Sequence, residues 1–164
     1  MARGVAFVDD SITHEDIEKM HAVGVRGVRF NFVKRLVDST PKEVFFSIAD
    51  KIRPFGWHIV VYFEAADLEE LIPFLKELNT TIVVDHMGTP NVANGVDHPD
   101  FKRFVNFMAD NDNVWCKVSC PERLTQHAPD YSDVYPFART LVEQFSDRVL
   151  WGTDWPHPNM KVEA

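Results

Sequence analysis

Features that define several protein classes are scarce or absent in this chain of 164 residues. No apolar run approaches the ~18 residues of a membrane-spanning helix, and residues 1–5 lack the apolar core of a secretory signal peptide. Acidic residues outnumber basic ones by 25 to 17, and no run of Lys and Arg is present. These absences predict a cytoplasmic protein that binds neither nucleic acid nor an anionic membrane.

Cysteine is also scarce. Cys116 and Cys120 are the only two, which is too few for a disulfide framework. Their even spacing places both on one face of a predicted strand, because side chains alternate along a strand. We therefore expect two free thiols, as is typical of a reducing compartment.

The residues that are present follow two alternating patterns. Short apolar, β-branched runs alternate with segments in which apolar residues recur every three or four positions, and a capping-box-like pair, Thr13 and Asp16, precedes the first of these segments. Since the runs are apolar along nearly their whole length, we expect a parallel sheet covered by helices. Strands are predicted at residues 4–8, 25–32, 57–63, 80–85, 113–119 and 148–152, and helices at 14–21, 41–52, 67–78, 100–110 and 134–145.

Two architectures fit this alternation, a doubly wound open sheet and a (β/α)8 barrel. A doubly wound sheet usually carries a glycine-rich phosphate loop, and neither G-x-G-x-x-G nor G-x-x-x-x-G-K-[ST] occurs here. A barrel instead predicts polar chemistry at the carboxyl ends of several strands. Five predicted strands end in charged or polar residues. The sequence therefore favours an α/β barrel, as a single partial domain over residues 1–164.

The predicted strand ends supply candidates for acid–base chemistry. Asp154 follows the last strand between Gly152 and Pro156, and it could act as a general acid or base, bind a metal, or cap a turn. His86 follows the fourth strand and could act at the same site or be an ordinary loop histidine. Asp85 directly precedes His86, and adjacent residues of a strand point to opposite faces. We therefore expect Asp85 to support the site rather than react.

Three arginines near the same ends point to a negatively charged ligand. Arg29, Arg35 and Arg123 carry guanidinium groups, which form forked contacts with carboxylates. We therefore expect a pocket for a small anionic molecule with up to two carboxylates. The alternative is that each arginine pairs with a nearby acidic residue, such as Asp38, Glu64 or Glu122.

Other polar residues at strand ends are less specific. Tyr62 ends the third strand, where it could line the pocket or simply lie at the edge of the core. His157 could reach the same rim. His58 begins its strand and is therefore expected at the opposite end, away from any site.

Two segments make the sequence resemble a known family. Residues 83–90, VVDHMGTP, and residues 149–159, VLWGTDWPHPN, are similar to the amidohydrolase superfamily in its amidohydrolase 2 branch. With residues 25–32 and 121–123, they resemble the lactonase family that hydrolyses 2-pyrone-4,6-dicarboxylate in the breakdown of lignin-derived aromatic compounds. The resemblance implies a (β/α)8 TIM barrel of the amidohydrolase type and a hydrolase that acts on a carboxylic ester bond.

The resemblance also implies roles for the candidate residues. Asp154 would be the general acid/base that activates water, and His86 would polarise the lactone carbonyl. These lactonases are understood to work without a metal, so no cofactor is expected. The dicarboxylate substrate would be bound by Arg29, Arg35, Tyr62 and Arg123.

A second hypothesis within the same branch is a metal-dependent decarboxylase or hydrolase. Many relatives bind a divalent ion through an H-x-H pair on the first barrel strand. No such pair occurs at the first strand predicted in this sequence. In that case His86 and Asp154 would be ligands of zinc or manganese.

The length suggests a third hypothesis, a truncated and inactive fragment. A (β/α)8 barrel has about 250 residues, whereas 164 residues hold about six βα units, which we take as the third to the eighth strands. We therefore expect a chain truncated at both ends. Its open sheet edges would favour poor solubility or a homo-oligomer.

Overall fold

The computed structural model of the chain describes residues 2–33 and 40–157. In these residues, six strands form one sheet, and each strand runs parallel to its neighbour in chain order from β1 to β6. The strands are β1 (Gly4–Ala6), β2 (Val25–Asn31), β3 (His58–Tyr62), β4 (Ile82–Val84), β5 (Val114–Val118) and β6 (Val149–Trp151).

Helices connect the successive strands, as parallel pairing requires. This strand–helix repeat in unbroken sequential order confirms the predicted partial (β/α) barrel. The helices are α1 (His14–Ala22), α2 (Lys42–Ile52), α3 (Leu68–Glu77), α4 (Pro99–Ala109), the single-turn α5 (Pro121–Leu124) and α6 (Tyr135–Gln144).

Local sequence signals explain where several helices begin and end. The predicted capping box of α1 is present, because Thr13 Oγ1 accepts a hydrogen bond from the Asp16 amide while the Asp16 carboxylate accepts one from the Thr13 amide. Pro73 lies inside α3, which continues past it. Between the strand predicted at 113–119 and the helix predicted at 134–145 the sequence indicates only a loop, which is wrong in one respect, since α5 lies there. Four residues are too few to show a helical period.

The hydrophobic core lies between the outer face of the sheet and the helices. Alternate strand residues such as Phe30, Val61 and Cys116 face outward and are almost completely buried. They pack against helix residues that include Ile48 and Phe104. Burying each such side chain contributes about 1.5–3 kcal/mol, so this layer is the main source of stability and holds the strand ends in place.

The inner face of the sheet is concave. Arg29 on β2 reaches Asp85 after β4 across the intervening β3, with 2.7 Å between Nη2 and a carboxylate oxygen. Strands two apart lie about 9–10 Å from each other, so this ion pair crosses β3 and places both side chains on the inner face of the barrel wall.

The two edges of this half-barrel are open in the described part of the chain. There, β1 pairs only with β2, and β6 pairs only with β5. Five of the eight exposed large apolar side chains among the described residues lie at or near these edges, as expected for an incomplete barrel. They are Val5, Phe7, Leu150, Trp151 and Trp155.

Among the described residues, no helix is both long and apolar enough to cross a membrane.

Candidate active site

Polar residues from β2, β4, β5 and β6 meet at the carboxyl ends of the sheet, the end where barrel enzymes carry their sites. They surround a cavity of about 330 Å³, a size within the range of small-molecule sites. The cavity is lined by Arg29, Asp85, His86, Lys117, Ser119, Leu150, Trp151, Gly152 and Asp154.

Asp154 lies just beyond β6 in a left-handed backbone conformation, with φ of 56°. Its Oδ2 accepts a hydrogen bond from Arg123 Nη2 at 2.5 Å and one from Cys120 Sγ at 3.2 Å. Its other oxygen, Oδ1, lies 3.9 Å from His86 Nε2. One carboxylate oxygen is therefore fixed by two donors, while the other faces the histidine.

His86 is buried directly after β4, and its Nδ1 lies 3.0 Å from the Ser119 hydroxyl. The Tyr62 ring packs edge-on against the imidazole, with 5.4 Å between ring centroids. Burial lowers the pKa of His86, and this outweighs the opposing effect of the Asp85 and Asp154 carboxylates. The imidazole is therefore neutral near pH 7, with one nitrogen that donates and one that accepts.

Asp85 is almost completely buried and binds two cations at once. Its Oδ2 lies 2.7 Å from Arg29 Nη2, and its Oδ1 lies 2.7 Å from Lys117 Nζ. The Arg29 guanidinium also stands over the Tyr62 ring, 5.6 Å from its centroid. Asp85 thus holds the charged ends of two long side chains at the cavity wall.

Arg123, on the single-turn helix α5, is the donor that fixes Asp154. Burial opposes the charge of its guanidinium, but Cys120, Asp154 and Tyr62 together raise the pKa of Arg123. Its Nε is buried and has no hydrogen-bond partner among the described residues. Arg123 therefore keeps a free donor while it pairs with Asp154.

A second contact ties α5 to the loop after β6. Glu122 is buried, and its Oε1 lies 2.9 Å from His157 Nδ1. Because Glu122 and Arg123 are adjacent, α5 holds this loop at both Asp154 and His157. His157 thus reaches the rim through α5.

The structure brings together most of the residues predicted from the sequence. Asp154, His86, Tyr62 and Arg123 lie in direct contact or nearly so, as described above, and Arg29 joins them through Tyr62. Arg35 lies outside the described residues. His58 is at the opposite end of β3, as expected.

Three contributors were not identified from the sequence. Lys117 could have been found from strand alternation, because Cys116 faces the core and its neighbour must face inward. Ser119 lies two positions after Lys117 and therefore points to the same face. Cys120 was predicted to share a strand face with Cys116, but it lies beyond β5 in a left-handed conformation and contacts Asp154. Both cysteines are free, as predicted, and the structure shows that both are buried.

The same residues include a set that could bind a metal ion. Ligand atoms of His86, Cys120 and Asp154 all lie within 4.8 Å of one another. Imidazole, thiolate and carboxylate are typical zinc ligands. However, the Arg123 guanidinium already occupies one Asp154 oxygen, and it would place a positive charge beside the ion.

Comparison with known proteins places this geometry in context. The sequence model of the amidohydrolase family matches residues 1–163. The chain is 58% identical over 168 residues to the 2-pyrone-4,6-dicarbaxylate hydrolase of Comamonas testosteroni, with 98% of this chain and 55% of that protein covered. The chain therefore spans about half the length of this curated relative.

Two crystal structures share the fold. A Pseudomonas putida protein, assigned as a 2-pyrone-4,6-dicarboxylic acid hydrolase, gives a TM-score of 0.77 at 28% identity, over 97% of this chain and 58% of its own. An Acinetobacter baumannii protein with the same assignment and with citric acid bound gives 0.79 at 25% identity, over 96% of this chain and 59% of its own. In both comparisons, nearly the whole chain matches just over half of the related protein.

Proposed function

This chain belongs to the amidohydrolase family, and we propose that the protein opens the lactone ring of 2-pyrone-4,6-dicarboxylate or a similar anionic cyclic ester. The observation that carries this proposal is a single cavity in which Asp154 and His86 lie beside the two cations Arg29 and Lys117. An ester hydrolase for a dicarboxylate needs a base, an electrophile and positive charge in one place. The names of the relatives support the same substrate class.

The reaction adds water across the ring ester. The water oxygen bonds to the carbonyl carbon, the ring C–O bond breaks, and the product gains a third carboxylate with release of a proton. Asp154 is the proposed general base. Its Oδ2 accepts hydrogen bonds from Arg123 and Cys120, while its Oδ1 lies at the cavity beside His86. A positioned base typically contributes 10²- to 10⁴-fold.

His86 is the proposed electrophile. We assign the hydrogen of the neutral imidazole to Nε2, from which it can donate to the lactone carbonyl oxygen; Nδ1 then accepts from the Ser119 hydroxyl, 3.0 Å away. Burial keeps the pKa of His86 low, so the ring does not take up the proton that Asp154 removes from water. A preorganised donor stabilises the oxyanion as it develops and is the larger part of such catalysis.

The substrate carboxylates are assigned to the cationic residues of the rim. Arg29 presents its guanidinium at the cavity, and Arg123 retains an unpaired Nε. Tyr62 packs between Arg29 and His86 and orients both. Arg35, outside the described residues, keeps the role that the family resemblance gives it. The citric acid bound in the Acinetobacter baumannii structure supports a ligand with several carboxylates.

Loss of the pyrone ultraviolet absorbance on mixing with purified protein tests this proposal. Asp154→Asn is expected to lower kcat by about 100-fold or more, with substrate still bound. Asp97→Asn, at an exposed carboxylate paired with Lys102, is the matched control. Undiminished turnover in Asp154→Asn contradicts the role of that residue. No ring opening by the unchanged protein contradicts the function itself.

A metal-dependent hydrolase or decarboxylase is the second candidate, favoured by the three ligand atoms of His86, Cys120 and Asp154. We place it second because Arg123 pairs with Asp154. Metal analysis and activity before and after chelation separate the two. Activity lost on chelation and restored by zinc or manganese would establish the metal-dependent enzyme, and carbon dioxide release would identify a decarboxylase.

A further inference from the structure

Lys117 faces the inside of the half-barrel, although neighbouring residues of β5 belong to the core. Cys116 and Val118 pack on the outer, helix-covered side. Lys117 therefore points to the concave side, where it lines the cavity beside His86 and Asp154. Its side chain is 30% exposed, so part of the ammonium group remains open to the cavity.

The only acidic partner that the structure gives Lys117 within the described residues is one that it shares. Asp85 lies 2.7 Å from both Lys117 Nζ and Arg29 Nη2. One carboxylate balances one of these charges, so the cluster of Arg29, Asp85 and Lys117 keeps a net charge of about +1. Each cation also keeps further donors, because an ammonium has three N–H groups and a guanidinium has five.

Among the described residues that line the cavity, no other group balances that surplus. Asp154 already pairs with Arg123. His86 is neutral for the reason given above, and His58, half-buried deeper along the same face, does not supply a negative charge. A partly buried positive charge without its own counterion is costly, and an anionic ligand would offset that cost.

We propose that Lys117 binds one carboxylate of the substrate together with Arg29, and so determines the preference for dianions over monoanions. Asp85 is the positioning residue that holds both cations side by side. This inference rests on the proposed function for the identity of the substrate, but the anion contact itself does not depend on turnover.

The test compares binding of 2-pyrone-4,6-dicarboxylate and of a 2-pyrone monocarboxylate, by calorimetry and by turnover. Lys117→Met is expected to raise Kd and KM for the dicarboxylate by about 10- to 100-fold, as loss of a charge-assisted hydrogen bond does. The monocarboxylate values are expected to change by less than about threefold, and kcat to stay nearly constant. Lys102→Met, which removes an exposed lysine paired with Asp97, is the matched control.

A double variant separates substrate contact from simple charge balance. Asp85→Asn with Lys117→Met leaves Arg29 as the only charge of the cluster, so its net charge again is about +1. If Lys117 contacts the substrate, the double variant still binds the dicarboxylate at least about tenfold more weakly than the unchanged chain. This variant leaves no unpaired buried carboxylate, so it carries the test even if Lys117→Met alone unfolds.

The outcomes for the two proposals are distinct. Full recovery of dicarboxylate affinity in the double variant, or equal losses for both ligands in Lys117→Met, overturns the role of Lys117. Dianion binding that depends on Lys117 without ring opening by the unchanged protein supports this inference and contradicts the proposed reaction. No dianion binding by the unchanged chain overturns the inference.

Discussion

Asp85→Asn tests the charge cluster through stability alone, without any assumption about the substrate. The wild-type carboxylate is 1% exposed and receives two charge-assisted contacts, both at 2.7 Å. We take each ion pair at about 1.5 kcal/mol, roughly half of the cost of breaking a fully buried pair, so their loss costs about 3 kcal/mol. The asparagine oxygen keeps one contact worth about 1 kcal/mol. The net expectation is a loss of about 2 kcal/mol, kept this low because the two cations are about one-third exposed and regain water.

Urea unfolding followed by circular dichroism measures this change directly, and the melting temperature should fall by about 4–8 °C for a chain of this size. Asp97→Asn is the control, because that carboxylate pairs with Lys102 on the surface, where a pair is worth about 0–1 kcal/mol. If the two variants lose equal stability, or if Asp85→Asn loses none, the cluster does not hold the strand ends as described.

Three further predictions follow from the site. Burial lowers the pKa of His86, so below pH about 6.5 the unfolded chain binds a proton that the folded chain excludes. Stability should therefore fall from pH 7 to pH 5 in denaturation series, and His86→Gln should reduce the slope of stability against pH. The remaining slope is expected from His58, because burial lowers its pKa as well. Burial raises the pKa of Cys116 and Cys120, so a thiol reagent at pH 8 should label both only after denaturation, and rapid native labelling would contradict their burial. Ser119→Ala removes the hydroxyl 3.0 Å from His86 and should lower kcat about 5- to 10-fold at nearly constant KM, whereas an effect confined to KM would assign Ser119 to binding.

The strands and long helices could be predicted from the sequence because each is encoded locally. An apolar run such as residues 58–62, or an apolar stripe such as that of α4, carries its own periodicity. The single-turn helix α5 has no such signal. It depends on Pro121 at its first position and on the left-handed Cys120 that precedes it.

The pairing within the site could not be predicted in the same way. The sequence suggested Asp38, Glu64 or Glu122 as partners for the arginines, because these residues are close along the chain. The structure instead pairs Arg29 with Asp85 across the intervening β3, and Arg123 with Asp154 across 31 positions of sequence. These contacts join elements that lie far apart in the sequence, which no local pattern encodes.

The charge distribution explains why such contacts matter for an anionic ligand. The chain has a formal net charge of −8, so its overall field repels a dianion at long range. In the described part of the site, the three cations Arg29, Lys117 and Arg123 pair with two carboxylates, Asp85 and Asp154. Because charges on an exposed surface are screened within about 8–10 Å, this local excess acts at contact distance. Recognition of an anion therefore depends on a few positioned donors, and removing one of them should change specificity more than it changes the net charge.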